Sequence, residues 1–243
     1  MTTDTPEDLI KRLNRSGRAP HPDLIEAIWE RREETEPLLL DVFAEALDDD
    51  WPDDDDPRWL RLIHAGKFML AWQNEAALPT FARFYSTDDE PLLDMLEWFE
   101  EDLVHYGPAA VPYLQQVAAT ETGARWHYGR GLSTSMLTAL AEYYPDTRAD
   151  IVAFLRSLLP AVSAIPELSE PDEMWADIAS ELGQLGDEAS RDHILALDEA
   201  ELLVPVFFGR QHYLRDLNRG FRLQTPPPPY DLRQEYERHY EEH

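Results

Sequence analysis

Leu182-Gly183-Gln184-Leu185-Gly186-Asp187-Glu188-Ala189 joins two helix-length stretches, Asp172 to Leu185 and Asp187 to Leu197, and breaks them at Gly186. A glycine just past an apolar periodic run ends a helix, because it takes up the left-handed conformation without steric cost. The segment therefore reads as two short helices joined by a tight turn. The same punctuation recurs upstream. Ala76 to Tyr85, Leu92 to Tyr106, Pro108 to Ala119, Ala124 to Tyr144 and Thr147 to Leu159 each read as helix. Pro91, Gly107-Pro108, Gly123, Pro145-Asp146 and Pro160 stand at the junctions. Gly107, like Gly186, is expected just past a helix end. A helix from about Val204 to Leu217 follows, and no β-branched alternation or Asn-Gly hairpin appears anywhere.

The N-terminal third carries the same signals. Thr5-Pro6-Glu7-Asp8 supplies an N-cap hydroxyl, a proline at the first helical position and acids in the first turn. Leu9, Ile10 and Leu13 form the apolar stripe, and Gly17 is placed to end that helix. Leu24, Ile25, Ile28 and Trp29 repeat with a helical period, and a third helix is expected to begin near Pro37. From Asp48 to Asp56 seven of nine residues are Asp, a solvated connection ahead of a strongly apolar helix that runs from Pro57 to about Gln73. Thr225 to Pro229 reads as a rigid polyproline spacer and Tyr230 to His243 as a charged helical tail. Residues 1–224 are thus expected to form one body and residues 225–243 a spacer and tail.

Similar segments recur along the chain. Taking Leu38, Leu78, Val111, Ile151 and Ile194 as markers, the steps are 40, 33, 40 and 43 residues. Two helices per ~40 residues is the period of HEAT-type arrays, in which stacking buries what each pair cannot bury alone. The Leu182–Ala189 segment, with Leu195 downstream, resembles the short HEAT-like repeat of the phycobilisome-lyase type. Tyr106-Gly107-Pro108-Ala109-Ala110-Val111-Pro112-Tyr113-Leu114 resembles its second-helix entry. Pro22-Asp23-Leu24-Ile25-Glu26-Ala27-Ile28 and Arg31-Arg32-Glu33-Glu34-Thr35 are similar to the first repeat of an uncharacterised bacterial HEAT-like family. Arg58 to Ser86 and Asp94 to Gln116 are similar to its next repeats. The resemblance implies an all-α fold, a right-handed α-solenoid of about five helical hairpins, and no particular reaction. Some members carry a cysteine-rich zinc motif, which this chain, without cysteine, cannot provide.

The chain has 243 residues, 43% of them hydrophobic, and a net charge of −28. That is enough apolar material for a sizeable core despite the charge. The absence of cysteine removes disulfides, thiolate metal sites and cysteine nucleophiles together. No apolar run approaches the ~20 residues of a membrane span, and Met1 to Thr5 opens no secretory signal, so a cytoplasmic protein is expected. Lys occurs only at Lys11 and Lys67 among the 21 basic residues. So acidic a surface repels nucleic acid and anionic lipid, whose binding rests on phosphate neutralisation. It reads either as adaptation to high internal salt or as an acidic mimic that occupies a basic partner.

Each motif that could carry chemistry has a plainer reading beside it. His239-Tyr240-Glu241-Glu242-His243 matches His-x-x-Glu-His but offers no third ligand, so a charged tail is the simpler account. Gly66-Lys67-Phe68 lacks the rest of a phosphate loop, and no strand precedes Gly129 and Gly131. Glu97, Glu101 and His105 would share a helix face, which could hold a metal only with a second such helix. Arg125, Trp126, His127, Tyr128 and Arg130 mix aromatics and cations as interface hot spots do; core packing and helix capping would use the same residues. Arg210, Arg215, Arg219 and Arg222 form the one distinctly basic stretch, suited to an anionic partner or to internal ion pairs. Pro227-Pro228-Pro229-Tyr230 fits a Pro-Pro-x-Tyr ligand as well as a spacer.

Together these readings lead to a non-enzymatic protein-interaction scaffold or adaptor, whose partner is another protein or peptide and which needs no metal or cofactor. A hydrolase or lyase with a His/carboxylate cleft, and the acidic mimic, are the alternatives.

Overall fold

A computed structural model describes residues 4–48, 57–120 and 128–241. Among them every regular element is helical, and the nearest thing to β structure is one isolated bridge between Asp172 and Leu203. The α-helices in chain order are α1 (Pro6–Leu13), α2 (Pro22–Glu30), α3 (Arg32–Glu45), α4 (Arg61–Trp72), α5 (Leu78–Tyr85), α6 (Glu90–Leu96), α7 (Val111–Ala118), α8 (Tyr128–Tyr143), α9 (Arg148–Leu158), α10 (Glu173–Gln184), α11 (Arg191–Glu199), α12 (Arg210–Arg219) and α13 (Leu232–Glu241). The five repeat markers fall one each in α3, α5, α7, α9 and α11.

The chain groups into two compact units, Met1–Phe84 with Pro228–His243, and Tyr85–Pro227. This division differs from the single body 1–224 with a free tail. The reason is local: α13 is not a solvated tail, since Leu232 and Tyr236 are each 1% exposed.

In the first unit α1 opens as its sequence dictates. The Thr5 hydroxyl accepts from the Asp8 amide at 3.2 Å while the Asp8 carboxylate accepts from the Thr5 amide at 3.3 Å, a reciprocal capping box. The third helix starts at Arg32, ahead of Pro37, which lies exposed inside it. Arg32, Glu33 and Glu34 face solvent and leave no apolar period to read, while the buried Thr35 hydroxyl donates to the Ile28 and Arg31 carbonyls at the joint. Helix α4 is the core of this unit and is buried on almost every side. Its buried residues include two polar ones, His64 and Lys67, and α13 covers both. The Lys67 ammonium donates to Glu235 at 2.9 Å and to the Tyr230 hydroxyl at 3.0 Å. Arg233 pairs with Glu26 at 2.6 Å and stacks over Trp29.

In the second unit α8 packs against α7, α9 and α10, and α12 lies on α10. At the start of α8, Gly129 lies directly against the Tyr85 backbone, where a Cβ would lie 1.9 Å from the carbonyl oxygen. Helix α10 begins with Asp172 capping the Met174 amide at 2.9 Å. It ends in a Schellman motif: Asp187 N–H donates to the Leu182 carbonyl and Gly186 N–H to the Gly183 carbonyl, both at 3.0 Å, with Gly186 at φ +64°. Gly186 thus sits where the sequence places it. Gly107 also has positive φ, at +60°, and stands at the kink that parts the Asp102–Ala110 stretch into two 3-10 pieces, so it too follows the end of a helical segment.

Two helices expected from the sequence are shorter than their apolar periods suggest. The run from Leu92 to Tyr106 divides into α6, a turn and the 3-10 stretch, so Glu97, Glu101 and His105 share no helix face. The run from Val204 begins as a turn, and α12 starts only at Arg210. One segment, Pro145–Glu167, has the length and mean hydropathy of a membrane span. It is not one continuous helix, because α9 stops at Leu158 and Leu159 is extended ahead of Pro160.

Replacing Gly186 with alanine should destabilise the second unit by about 2–5 kcal/mol. A left-handed non-glycine residue costs roughly 1–2 kcal/mol, and the new Cβ would lie 2.6 Å from the Phe221 amide nitrogen, an overpacking worth roughly 1–3 more. Chemical denaturation measures this; a loss below 0.5 kcal/mol would mean that the 220–221 backbone does not rest against the α10 terminus.

Candidate functional site

Of the residues singled out from the sequence, Arg125, Trp126 and His127 lie outside the described residues. Tyr128 opens α8 half-buried, its phenol pushed up by burial and then by the carboxylates of Glu100 and Glu97. Arg130 Nε donates to the Ala118 carbonyl at 3.1 Å, tying α8 to the last turn of α7. That contact is a helix cap within the unit. The His239 side chain and residues 242–243, parts of the His-x-x-Glu-His run, are likewise outside the described residues. Among the described residues no three His, Asp or Glu side chains are grouped to hold a metal ion.

The basic stretch separates according to helical geometry. Arg210, at the first turn of α12, turns toward the end of α11 and pairs with Asp198 at 3.1 Å and Glu199 at 3.3 Å. Arg215 and Arg219, one turn apart, share a face. Both contact the Asp216 carboxylate, at 3.2 and 3.6 Å, and so are held side by side. Gly220 ends the helix, and the extended chain behind it brings Arg222 to the same place.

These three arginines line a solvent-open cleft of about 880 Å³ in the second unit, with Glu142, Gln184, Leu223 and Gln224 around them. The floor is fixed from two directions. Gln224 N–H donates to the Glu142 carbonyl at 2.9 Å, and its side-chain amide donates to the Glu142 carboxylate. Arg148 donates to the Leu185 carbonyl at 2.5 Å and stacks its guanidinium 4.6 Å over the Phe221 ring.

The charge balance follows from the residues. Three cations meet the Asp216 carboxylate and Glu142, whose carboxyl burial pushes up while the Gln224 amide draws it part of the way back. The cleft is therefore a locally positive spot on a chain of net charge −28. Guanidinium groups bind carboxylate and phosphate oxygens through paired N–H donors, and their planar forks fix the orientation of the anion. Leu223, 63% exposed at the rim, adds an apolar contact.

The sequence signalled the arginines by their number. It carried no signal for Glu142, Gln184 or Gln224, which reach the cleft from distant helices and from the segment past Gly220. Compared with known proteins, the chain matches no family model and no curated protein.

Proposed function

We propose that the chain is a non-enzymatic cytoplasmic adaptor built from HEAT-like helical pairs, which docks an acidic segment of a partner protein in the cleft of Arg215, Arg219 and Arg222. The observation that carries this reading is that three arginines line one open cleft of an otherwise acidic chain. A long polyanion such as nucleic acid needs many phosphates neutralised along its length, and the surrounding acids oppose that. A short segment with two or three carboxylates meets only the favourable spot. An apolar side chain beside those carboxylates would rest on Leu223.

The test is fluorescence polarisation with a labelled nonapeptide of alternating aspartate and leucine. At 0.15 M KCl we expect saturable binding that weakens as salt rises. The triple variant Arg215→Gln, Arg219→Gln, Arg222→Gln should bind at least tenfold more weakly, about 1.4 kcal/mol. Arg210→Gln, which removes only the pairs to Asp198 and Glu199, should bind as the parent does. Equal affinity of the triple variant and the parent would overturn the proposal.

A further inference from the structure

The second unit carries another surface of opposite chemistry, formed by different residues. A groove of about 1010 Å³ runs between the Pro108–Pro112 corner and the junction of α8 with α9. Its walls are the rings of Pro108, Pro112, Tyr143 and Tyr144, and one end carries the carboxylates of Asp146 and Asp150. The proline rings are exposed and the tyrosines half-buried. Tyr144 is fixed in place by Gly107: a Cβ there would lie 3.1 Å from the Tyr144 hydroxyl, so the ring seats against bare backbone. Burial, and then the negative charges of Glu101 and Glu142, push the Tyr143 phenol up and keep it a hydrogen-bond donor.

Flat apolar rings with phenol donors between them suit one kind of backbone. A polyproline II chain presents three flat faces per turn and leaves its carbonyls without internal partners. Such a chain binds aromatic-lined grooves with little loss of conformational entropy, because it is already extended. The carboxylates select its charge. Asp146 and Asp150 are both exposed, and among the described residues neither forms an ion pair. Asp150 lies in the first turn of α9, where an acid complements the helix dipole, and Asp146 precedes it by one turn on the same rim.

We infer that this groove binds a proline-rich peptide of a partner protein, with an arginine or lysine flanking the prolines and paired to Asp146 and Asp150. An adaptor needs two docking surfaces, and this one stands apart from the arginine cleft in every residue, so either can fail alone.

The probe is a fluorescein-labelled decapeptide of prolines and leucines ending in two arginines, titrated with the full chain. Saturable binding is expected. Two altered peptides, one with glutamates for the arginines and one with alanines for the prolines, should each bind at least tenfold more weakly. The double variant Asp146→Asn, Asp150→Asn should weaken the parent peptide at least fivefold, with a melting temperature within a few degrees of the parent's. The arginine-cleft triple variant should bind it as the parent does. Failure to bind at 1 mM peptide, equal binding of the glutamate peptide, or an unaffected double variant would each overturn the inference. Self-association of the free chain that the double variant abolishes would put a second copy's own Pro226–Pro229 in the groove, and would overturn it also.

Discussion

Replacing Tyr236 with alanine should cost the first unit about 3–5 kcal/mol, the range for truncating a large buried aromatic. Tyr236 is 1% exposed, and its hydroxyl lies 2.7 Å from Nδ1 of the equally buried His64. The other ring nitrogen, Nε2, lies 3.1 Å from the Gly17 carbonyl, which can only accept. Nε2 therefore carries the proton, and Tyr236 donates to Nδ1. Alanine leaves a cavity and an unsatisfied Nδ1 together. Phenylalanine keeps the ring and removes only the hydrogen bond, so Tyr236→Phe should cost about 1–3 kcal/mol. Calorimetry separates the two variants. A loss below 1 kcal/mol for Tyr236→Ala would mean that α13 does not complete this core.

The same pair sets the pH response of the first unit. Burial lowers His64 from 6.5 to about 4. Between those values the unfolded chain binds a proton that the folded chain does not, so stability falls as pH drops from about 6.5 to 4.

Glu181 gives the second unit the opposite slope, and Glu181→Gln should stabilise that unit at pH 8 by a few kcal/mol. Burial pushes the carboxyl up to about 7, although Ser135 donates to it at 3.0 Å, and Asp177 and Glu142 add to the rise. Above pH 4.5 the unfolded chain loses this proton while the folded chain keeps it, so stability falls as pH rises from about 4.5 to 7. Gln keeps the shape and does not ionise. The variant should match the parent near pH 4.5 and melt several degrees higher at pH 8. A second unit that does not weaken across that window would sink the prediction.

How much of this was legible depends on the range of the interaction. The Thr5 cap and the Gly186 stop lie within a few residues of what they satisfy, and the sequence announces them. The split of Arg210 from Arg215 and Arg219 follows from the helical period once α12 is granted. The place of Arg222 does not, because Gly220 ends the helix and the chain beyond it has no period. The burial of helix α13 was hidden for a different reason. Leu232 and Tyr236 are two apolar residues in a charged run, too few for a period, and Tyr236 finds its partner 172 positions away. The helix over Leu92–Tyr106 was over-read because apolar spacing continues through a turn that the backbone does not follow. The apolar pattern also hid the start of α3, where exposed charges precede Pro37.

The return of the chain to the first unit orders events during synthesis. A ribosome makes everything from Tyr85 to Pro227 before it makes the helix that covers His64 and Lys67. Until that moment the N-terminal third waits with an unsheltered core, open to chaperones and to proteases, while the inserted unit can already close. A premature stop just past Pro228 therefore spares the unit nearest to it in sequence and ruins the one made first.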